Sequence, residues 1–348
     1  MPATPTACDA SAPPHAPAHF YGALHKRSRR PHALRQVLRQ ALAAVLTLSM
    51  LAPAASRAAE DEIRPLAVSQ IAPGVFVHQG VHGLMTAENG GAIANVGFVV
   101  GEDAVAVIDT GGSLREGRAL LAAVRAATPL PVRYVINTHM HPDHVFGNAA
   151  FEGLGAEFVG HARLAAALEA RGAHYLAANR DLMGDRLLAG VRIVLPSQPV
   201  DGSVAVDLGG RILRLDAWPV AHTDNDLTVF VPDAGVLFTG DLLFVEHLPS
   251  VDGSLRGWQK VIDSLLAMPV KALVPGHGPV PTAFPEGFEA ERRYFDVLAT
   301  DLRAAIDAGI PLSEAAKTAG RSEAANWVLF DEFNTRNATA AYAELEWE

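Results

Sequence analysis

The histidine-rich segment 139–144 (HMHPDH) constrains the fold of this chain more than any other feature. It follows the run Val132–Asn137 (VRYVIN), whose β-branched residues favour a strand. Side chains two apart in an extended chain face the same side, so we expect His139, His141 and Asp143 to point together. A turn into a helix would bring His144 to a second position. The chain must therefore present four side chains of metal-ligand type at one strand end.

Three further polar residues each follow a predicted strand. His222 comes after RLDAWPVA, Asp241 after VLFTG, and His277 lies between Gly276 and Gly278, where the absence of side chains allows close backbone approach. Imidazole and carboxylate ligands together suit zinc, with iron or manganese as alternatives. Seven ligands are too many for one tetrahedral ion. The sequence therefore predicts two metal ions, most readily two Zn²⁺.

Strand-like and helix-like segments alternate through the middle of the chain. Residues 96–101 and 104–109 predict a hairpin, residues 117–127 a helix and residues 161–188 a longer helical stretch, before strands at 211–220, 227–232, 235–240 and 271–276. Two or three helices follow from residue 286. This order predicts an α/β sandwich with two sheets inside, helices outside and additional C-terminal helices.

The N-terminal 58 residues have the pattern of a secretory signal peptide. Residues 26–39 are basic, residues 41–55 are apolar and uncharged, and Ser56 and Ala58 are small residues at a cleavage site. The apolar run is too short for a comfortable membrane span. We expect cleavage near Ala58, export to the periplasm and no stable membrane insertion afterwards. The predicted organisation is a signal peptide at 1–58, a catalytic domain at 59–285 and a helical extension at 286–348.

Charge and cysteine content exclude several classes of function. The full chain has a formal net charge of −10, and removal of residues 1–58 leaves 21 basic and 37 acidic side chains. A chain this acidic is a poor partner for nucleic acid. Its single cysteine, Cys8, lies within the predicted signal peptide. The mature chain therefore has no disulfide, thiolate nucleophile or cysteine metal ligand.

Four motifs in a fixed order give the chain a family resemblance: HMHPDH, AHTDND, TGD and PGHG. Together they resemble the metallo-β-lactamase superfamily over roughly residues 67–285. Within it, the segments 89–101 and 240–258, the export signal and the closing AAYAELEWE resemble the quinoprotein relay system zinc metallohydrolases related to a sulfur-oxidation accessory protein. The resemblance implies the αββα sandwich of that superfamily, with metals at one edge of the sheets.

The resemblance also implies a role for each polar residue. His139, His141 and His222 would hold the first metal, Asp143, His144 and His277 the second, and Asp241 would bridge the two, as in glyoxalase II. Asp143 and Asp241 would be the catalytic carboxylates that orient a metal-bridging hydroxide. The zinc β-lactamases with a cysteine ligand match less well, and their substrate-gripping lysine has no counterpart near Asp241.

Residues around the seven predicted ligands give weaker signals. Asp109 ends a predicted strand and is expected either to accept an imidazole N–H behind the metals or to be a plain turn residue. Polar residues that could line a substrate pocket, or be ordinary surface residues, are Asn89, Asn95, His174 and His247.

These features predict a hydrolase that attacks the carbonyl of a thioester, lactone or amide in a small-molecule substrate. The resemblance adds a periplasmic quinoprotein or cytochrome as partner. Two alternatives stay open. One is a mononuclear iron persulfide dioxygenase, which would leave His144 and His277 without a role. The other is a non-catalytic periplasmic accessory protein that handles a metal or a redox cofactor.

Overall fold

Two mixed β-sheets form the centre of the computed structural model, which describes residues 63–348. The predicted signal peptide lies outside these residues. The first sheet has seven strands in chain order: β1 (Ser69–Ala72), β2 (Val75–His78), β3 (Val96–Val100), β4 (Val105–Ile108), β5 (Val132–Ile136), β6 (Glu157–His161) and β7 (Gln198–Val200).

The second sheet has six strands in the spatial order β13–β12–β11–β10–β9–β8: β8 (Ser203–Asp207), β9 (Ile212–Ala217), β10 (Leu227–Val231), β11 (Val236–Phe244), β12 (Ala272–His277) and β13 (Thr282–Ala283). Strands β4 to β7 pair in parallel, as do β11 and β12, whereas the other pairings are antiparallel. The strands of each parallel pair therefore end at the same edge of their sheet.

The described helices lie outside the two sheets: α1 (Leu114–Ala127), α2 (Pro142–Val145), α3 (Leu164–Met183), α4 (Asp185–Leu188), α5 (Leu255–Leu266), α6 (Glu289–Asp307), α7 (Leu312–Thr318) and α8 (Phe330–Leu345). Short 3-10 helices span Asn148–Ala150, Glu286–Phe288 and Arg321–Asn326. In this part of the chain, no helix combines the length and the apolar character needed to cross a bilayer.

The buried apolar side chains form layers between these elements. Val99, Ile108 and Ile136 of the first sheet pack against Val229 and Val274 of the second, and this packing joins the two sheets face to face. A second layer lies between the first sheet and α1, and a third between the second sheet and α5, α6 and α8. Strands buried on both faces are apolar throughout, which is why β3 and β4 lack a polar alternation. The predicted αββα sandwich with C-terminal helices is confirmed.

Most predicted elements are present with shifted ends. The hairpin of β3 and β4 pairs Gly97 with Ile108, and α1 begins earlier than predicted because the Ser113 side chain caps it by accepting from the Glu116 N–H. The helical stretch predicted at 161–188 ends at Leu188 as expected, but it was wrong at its start and as a single helix. His161 belongs to β6, and Gly184, with a φ of 82°, separates α3 from α4. His161 pairs with Val200 of β7 and so belongs to the sheet.

Candidate metal centre

The histidine loop connects β5 to the short helix α2. His139 and His141 lie in the loop, and His141 has the extended backbone of an N-cap (φ −69°, ψ 148°) before Pro142 at the first helical position. Asp143 and His144 follow within α2. The expectation that Asp143 points with His139 and His141 was therefore wrong, because the chain turns helical at Pro142. The turn sends Asp143 and His144 to a separate group of side chains.

The other three predicted residues reach the same place from the second sheet. His277 is the last residue of β12, and Asp241 lies within the neighbouring parallel strand β11, which continues past the predicted end to Phe244. His222 lies in the turn after β9. At Gly276 an added side chain would overlap the Asp241 carboxylate, so the glycine permits the close approach of these two strands.

All seven predicted residues come together in two adjacent groups, which we call the seven-residue cluster. The potential ligand atoms within each group lie within 4.8 Å of one another. The first group consists of His139, His141, His222 and Asp241, and the second of Asp143, His144 and His277. All seven are buried except His141, whose side chain is 17% exposed.

Asp241 lies between the two groups, with one carboxylate oxygen towards each. Its Oδ2 is 3.6 Å from His139 Nε2 and 3.4 Å from His222 Nε2. Its Oδ1 is 3.0 Å from His144 Nε2 and 3.4 Å from His277 Nε2. A carboxylate placed in this way can serve two cations at once, one with each oxygen.

Carboxylates determine the tautomers of two of the five histidines. His144 Nδ1 lies 2.8 Å from Asp109 Oδ2, and His141 Nε2 lies 3.3 Å from Asp252 Oδ2. An ionised carboxylate only accepts hydrogen bonds, so each of these ring nitrogens carries the proton. The opposite nitrogens, His144 Nε2 and His141 Nδ1, then direct lone pairs into the cluster.

Neutral oxygens do the same for the other three histidines. His222 Nδ1 donates to the Ser250 carbonyl at 2.7 Å, and His277 Nδ1 donates to the Ile93 carbonyl at 3.0 Å. His139 Nδ1 lies 3.0 Å from Thr138 Oγ1. That hydroxyl donates to Asp109 Oδ2 at 2.7 Å, so its oxygen accepts from the His139 ring.

Five imidazole lone pairs therefore converge on a space that also faces two carboxylates. His141 Nδ1 is only 3.1 Å from His139 Nε2 and 2.9 Å from His222 Nε2. Within the described residues, His144 Nε2 and Asp241 Oδ1 are buried and lie 3.0 Å apart, yet neither atom has a partner in hydrogen-bond geometry. Lone pairs at such distances repel one another unless a cation lies between them. The donor set, all nitrogen and oxygen, fits borderline divalent ions such as zinc.

The charges of the cluster favour cation binding. Burial opposes the ionisation of Asp241 and Asp143, but the neighbouring histidines outweigh it and hold both pKa values below their usual range. Burial likewise opposes protonation of His277, yet Asp241 and Asp143 raise its pKa to about 9. Bound metal ions would supply positive charge beside the same carboxylates. They would displace the histidine protons, because an imidazole that ligates a metal is neutral.

Asp109 holds the histidine loop from behind. Besides the His144 imidazole, its carboxylate accepts hydrogen bonds from the Thr138 N–H at 2.8 Å and the Thr138 hydroxyl at 2.7 Å. Its backbone has a φ of 54°, a left-handed conformation that aspartate tolerates better than most residues. Of the two roles expected for Asp109, contact with an imidazole is the one that the structure supports.

A cavity of about 770 Å³ opens above the seven-residue cluster. His174 and His247 line it, as proposed from the sequence. Asn89 and Asn95 do not. The Asn89 side chain closes a turn with Thr86, and Asn95 donates to the carbonyls of Pro275 and Gly278 on either side of His277. These two asparagines have structural roles.

Three residues beside the cavity were missed by the sequence analysis. Asp252 accepts hydrogen bonds from Arg171 of α3 at 2.6 Å and from Arg336 of α8 at 3.0 Å, in addition to its contact with His141. The two arginines raise no local signal because each is one charged residue on a half-exposed helix. Asp252 lies in a Val-Asp-Gly loop that has the pattern of an ordinary turn. Only the packing of α3 and α8 brings the three together.

Comparison with proteins of known sequence finds curated relatives of modest similarity. The chain is 25% identical, over 214 residues, to a linear primary-alkylsulfatase of Pseudomonas sp. (strain ATCC 19151). The matched part is 49% of this chain and spans only 39% of the alkylsulfatase.

Solved structures give the same fold at low identity. A stereoselective inverting sec-alkylsulfatase from Pseudomonas sp. matches with a TM-score of 0.61 and 15% identity, over 80% of this chain and 50% of that one. A metallo-β-lactamase from Pontibacter korlensis matches with a TM-score of 0.53 and 21% identity, over 66% of this chain and 99% of that one.

The family model described as the metallo-beta-lactamase superfamily matches residues 89–277. This range includes all seven residues of the cluster and more than half of the chain's 348 residues. The chain belongs to the metallo-β-lactamase superfamily.

Proposed function

We propose that this protein is a hydrolase that uses two metal ions, preferably zinc, bound by the seven-residue cluster. Members of its superfamily are hydrolases, so the predicted enzyme class is confirmed at that level. The observation that carries the finer proposal is the convergence of five imidazole lone pairs around Asp241, whose two oxygens face different histidine pairs. One tetrahedral ion cannot use so many ligands.

The ligand assignment follows the two groups. His139, His141 and His222 would hold one ion, Asp143, His144 and His277 the other, and Asp241 both. When bound, zinc supplies Lewis acidity and lowers the pKa of a coordinated water to about 7. Iron or manganese would suit the same nitrogen and oxygen donors.

The chain's own residues supply orientation and exclusion of bulk water. Asp143 and Asp241 line the cavity, and both remain ionised because the adjacent histidines lower their pKa values. Each can accept a hydrogen bond from a water molecule and so orient that water towards a substrate carbonyl. The burial of six of the seven side chains keeps these carboxylates away from competing solvent.

The bond attacked is proposed to be the carbonyl carbon–heteroatom bond of a thioester, lactone or amide. The alkylsulfatase relative adds sulfate esters to the compounds worth testing. We expect little turnover of β-lactams. The classical enzymes hold these substrates with a lysine, whereas the described lining of the cavity includes neither lysine nor cysteine.

Location and partner also belong to this proposal. The basic, apolar and small-residue order of residues 26–58 supports export to the periplasm. The resemblance of segments 89–101 and 240–258 supports a role beside a periplasmic quinoprotein or cytochrome. Mass spectrometry of the N-terminus after expression in a bacterial host tests the first point, and an intact N-terminus on cytosolic protein would refute it.

Metal analysis combined with turnover tests the central proposal. The purified protein should contain close to two zinc ions per chain and hydrolyse at least one member of a panel of thioesters, lactones, amides and alkyl sulfates. One iron per chain with oxygen consumption on a persulfide would identify the dioxygenase instead. Two metals with no turnover on the panel, but specific binding to a quinoprotein, would favour the accessory protein.

A further inference from the structure

The cavity above the seven-residue cluster has two chemically different ends. At one end Arg171 and Arg336 approach from α3 and α8 and meet at Asp252. Farther along α3 the lining includes Leu182, and the apolar side chains of Leu84, Met85 and Ile93 also belong to it. Leu84 and Leu182 are 48% and 61% exposed, so they lie at the rim of the cavity.

One face of α3 follows this change in character. Arg171, Tyr175, Asn179 and Leu182 line the cavity at spacings of three and four residues, so they lie along one side of the helix. Arg171 and Leu182 are separated by roughly 16 Å along the helix axis, at about 1.5 Å per residue. The cavity wall therefore changes along α3 from the cationic Arg171 to the apolar Leu182. The distance between them is comparable to the length of a small acyl compound.

The seven-residue cluster lies between the two ends. On the cationic side, Asp252 contacts His141. On the apolar side, the carbonyl of Ile93 accepts from His277. Asp241 lies between these histidines, because its two oxygens face the His139 and His222 pair and the His144 and His277 pair. A substrate that spans the cavity would thus place its middle over the cluster.

The cationic end keeps binding capacity for an anion. Asp252 compensates only one of the two guanidinium charges. The side chains of Arg171 and Arg336 are 47% and 56% exposed, whereas that of Asp252 is 16% exposed. Each guanidinium has five N–H donors, and Asp252 uses one from each. Arg171 and Arg336 are the arginines of the described cavity lining, which contains no lysine, and they would attract an anionic group to this end of the cavity.

We infer that the substrate carries a carboxylate, held by Arg171 and Arg336 at a distance from the bond that is hydrolysed, and an apolar group that lies against Leu84, Met85 and Leu182. This inference rests on the proposed hydrolase function and adds a substrate class to it. The two arginines are specificity-determining residues that contact the substrate and take no part in bond cleavage.

Matched esters test this inference. We would compare mono-4-nitrophenyl esters of straight-chain dicarboxylic acids of six to eight carbons with 4-nitrophenyl esters of the monocarboxylic acids of equal length, using the zinc-loaded protein. The quantity compared is the ratio of kcat/KM for the charged and the neutral ester. It should exceed about ten, as expected for charge-assisted hydrogen bonds, and fall with added salt.

The double variant Arg171→Gln/Arg336→Gln should bring this ratio close to one. The matched control is Arg180→Gln, because Arg180 is also on α3, is similarly exposed at 53% and pairs with Asp185 outside the cavity. The control should keep the wild-type ratio. Zinc content is measured for each variant, since loss of metal from the double variant would lower both rates but leave the ratio informative. A wild-type ratio near one, or a ratio that survives in the double variant, overturns the inference.

A binding measurement separates failure of this inference from failure of the proposed function. If the zinc protein hydrolyses none of these esters, calorimetry compares the inert pair 7-oxooctanoate and 2-octanone. Tighter binding of the anion that is lost in Arg171→Gln/Arg336→Gln and kept in Arg180→Gln supports the arginine site although ester hydrolysis has failed. Equal binding of the two ketones, or a preference independent of the arginines, overturns it.

Discussion

The seven-residue cluster and the wall of the cavity above it are built in contrasting ways. The cluster sits at strand ends or beside them, nearly all of it is buried, and each histidine is held by a specific oxygen behind it. The wall consists of half-exposed side chains on α3 and α8 that meet at Asp252. A rigid cluster suits metal chemistry common to a superfamily, whereas a wall on outer helices can change without disturbing the sheets.

The largest effect is expected at the centre of the cluster, from Asp241→Asn. An asparagine offers one neutral oxygen where Asp241 directs two charged ones at the two histidine groups. We expect loss of at least one metal and a fall in turnover greater than the roughly 10–100-fold typical of residues behind the ligands. Metal analysis and kcat/KM measure this, with circular dichroism as the check on folding.

His277→Ala is the comparison variant, since His277 belongs to one group only. It should lose mainly one metal. An Asp241→Asn protein with both metals and wild-type rates would disprove the bridging role and require a different assignment of the cluster.

A smaller effect is expected immediately behind the cluster, from Asp109→Asn. The amide cannot accept from Thr138 and His144 as the carboxylate does, so the His144 tautomer is no longer imposed. We expect a loss of roughly 10–100-fold in metal affinity or activity. Titration with a competing chelator measures the affinity. Unchanged affinity would mean that Asp109 serves only the turn at the end of β4.

A still smaller effect on the metals is expected at the boundary between cluster and wall, from Asp252→Asn. The amide oxygen can still accept from His141, whose contact is already long at 3.3 Å, so metal affinity should fall by less than about tenfold. The two arginines lose their common partner. The KM for charged esters should therefore change more than kcat. A loss of metal affinity as large as that expected for Asp109→Asn would show that Asp252, in the cavity wall, helps to hold the metal ligands in place.

The smallest effect on activity is expected from Glu291→Gln on α6, behind the second sheet. Glu291 Oε1 accepts from the Phe244 N–H at 3.0 Å, and burial raises the pKa of the carboxyl group well above its usual value. The folded protein thus holds a proton that the unfolded chain releases above the ordinary glutamate pKa of 4.5. Wild-type stability must then decrease as the pH rises above that value, until the pKa of the folded state is reached.

Glutamine keeps the hydrogen bond to Phe244 but binds no proton. The variant should be the more stable protein, by a margin that grows with pH by at most about 1.4 kcal/mol per pH unit. Urea denaturation between pH 5.5 and 7.5 measures this margin. Glu314→Gln is the control, because Glu314 is exposed and pairs with Lys317. A margin that is constant with pH would show that Glu291 is ionised in the fold.

The sequence by itself determined which side chains could form the cluster. Strand ends are marked by β-branched runs and glycines, and histidine combined with aspartate at such positions is recognisable from the sequence as a set of metal ligands. All seven residues of the cluster were therefore named from the sequence, as was the αββα order of the elements.

Only the tertiary structure decided the remainder. Residue spacing alone placed Asp143 with His139 and His141, whereas the helical turn at Pro142 places it with His144 and His277, in agreement with the resemblance. The meeting of Arg171, Asp252 and Arg336 depends on three segments far apart in sequence, and isolated charged residues on helices carry no pattern that could reveal it. Ligands at strand ends are constrained by backbone hydrogen bonding, whereas side chains on outer helices are positioned by packing alone, and packing is a property of the whole fold.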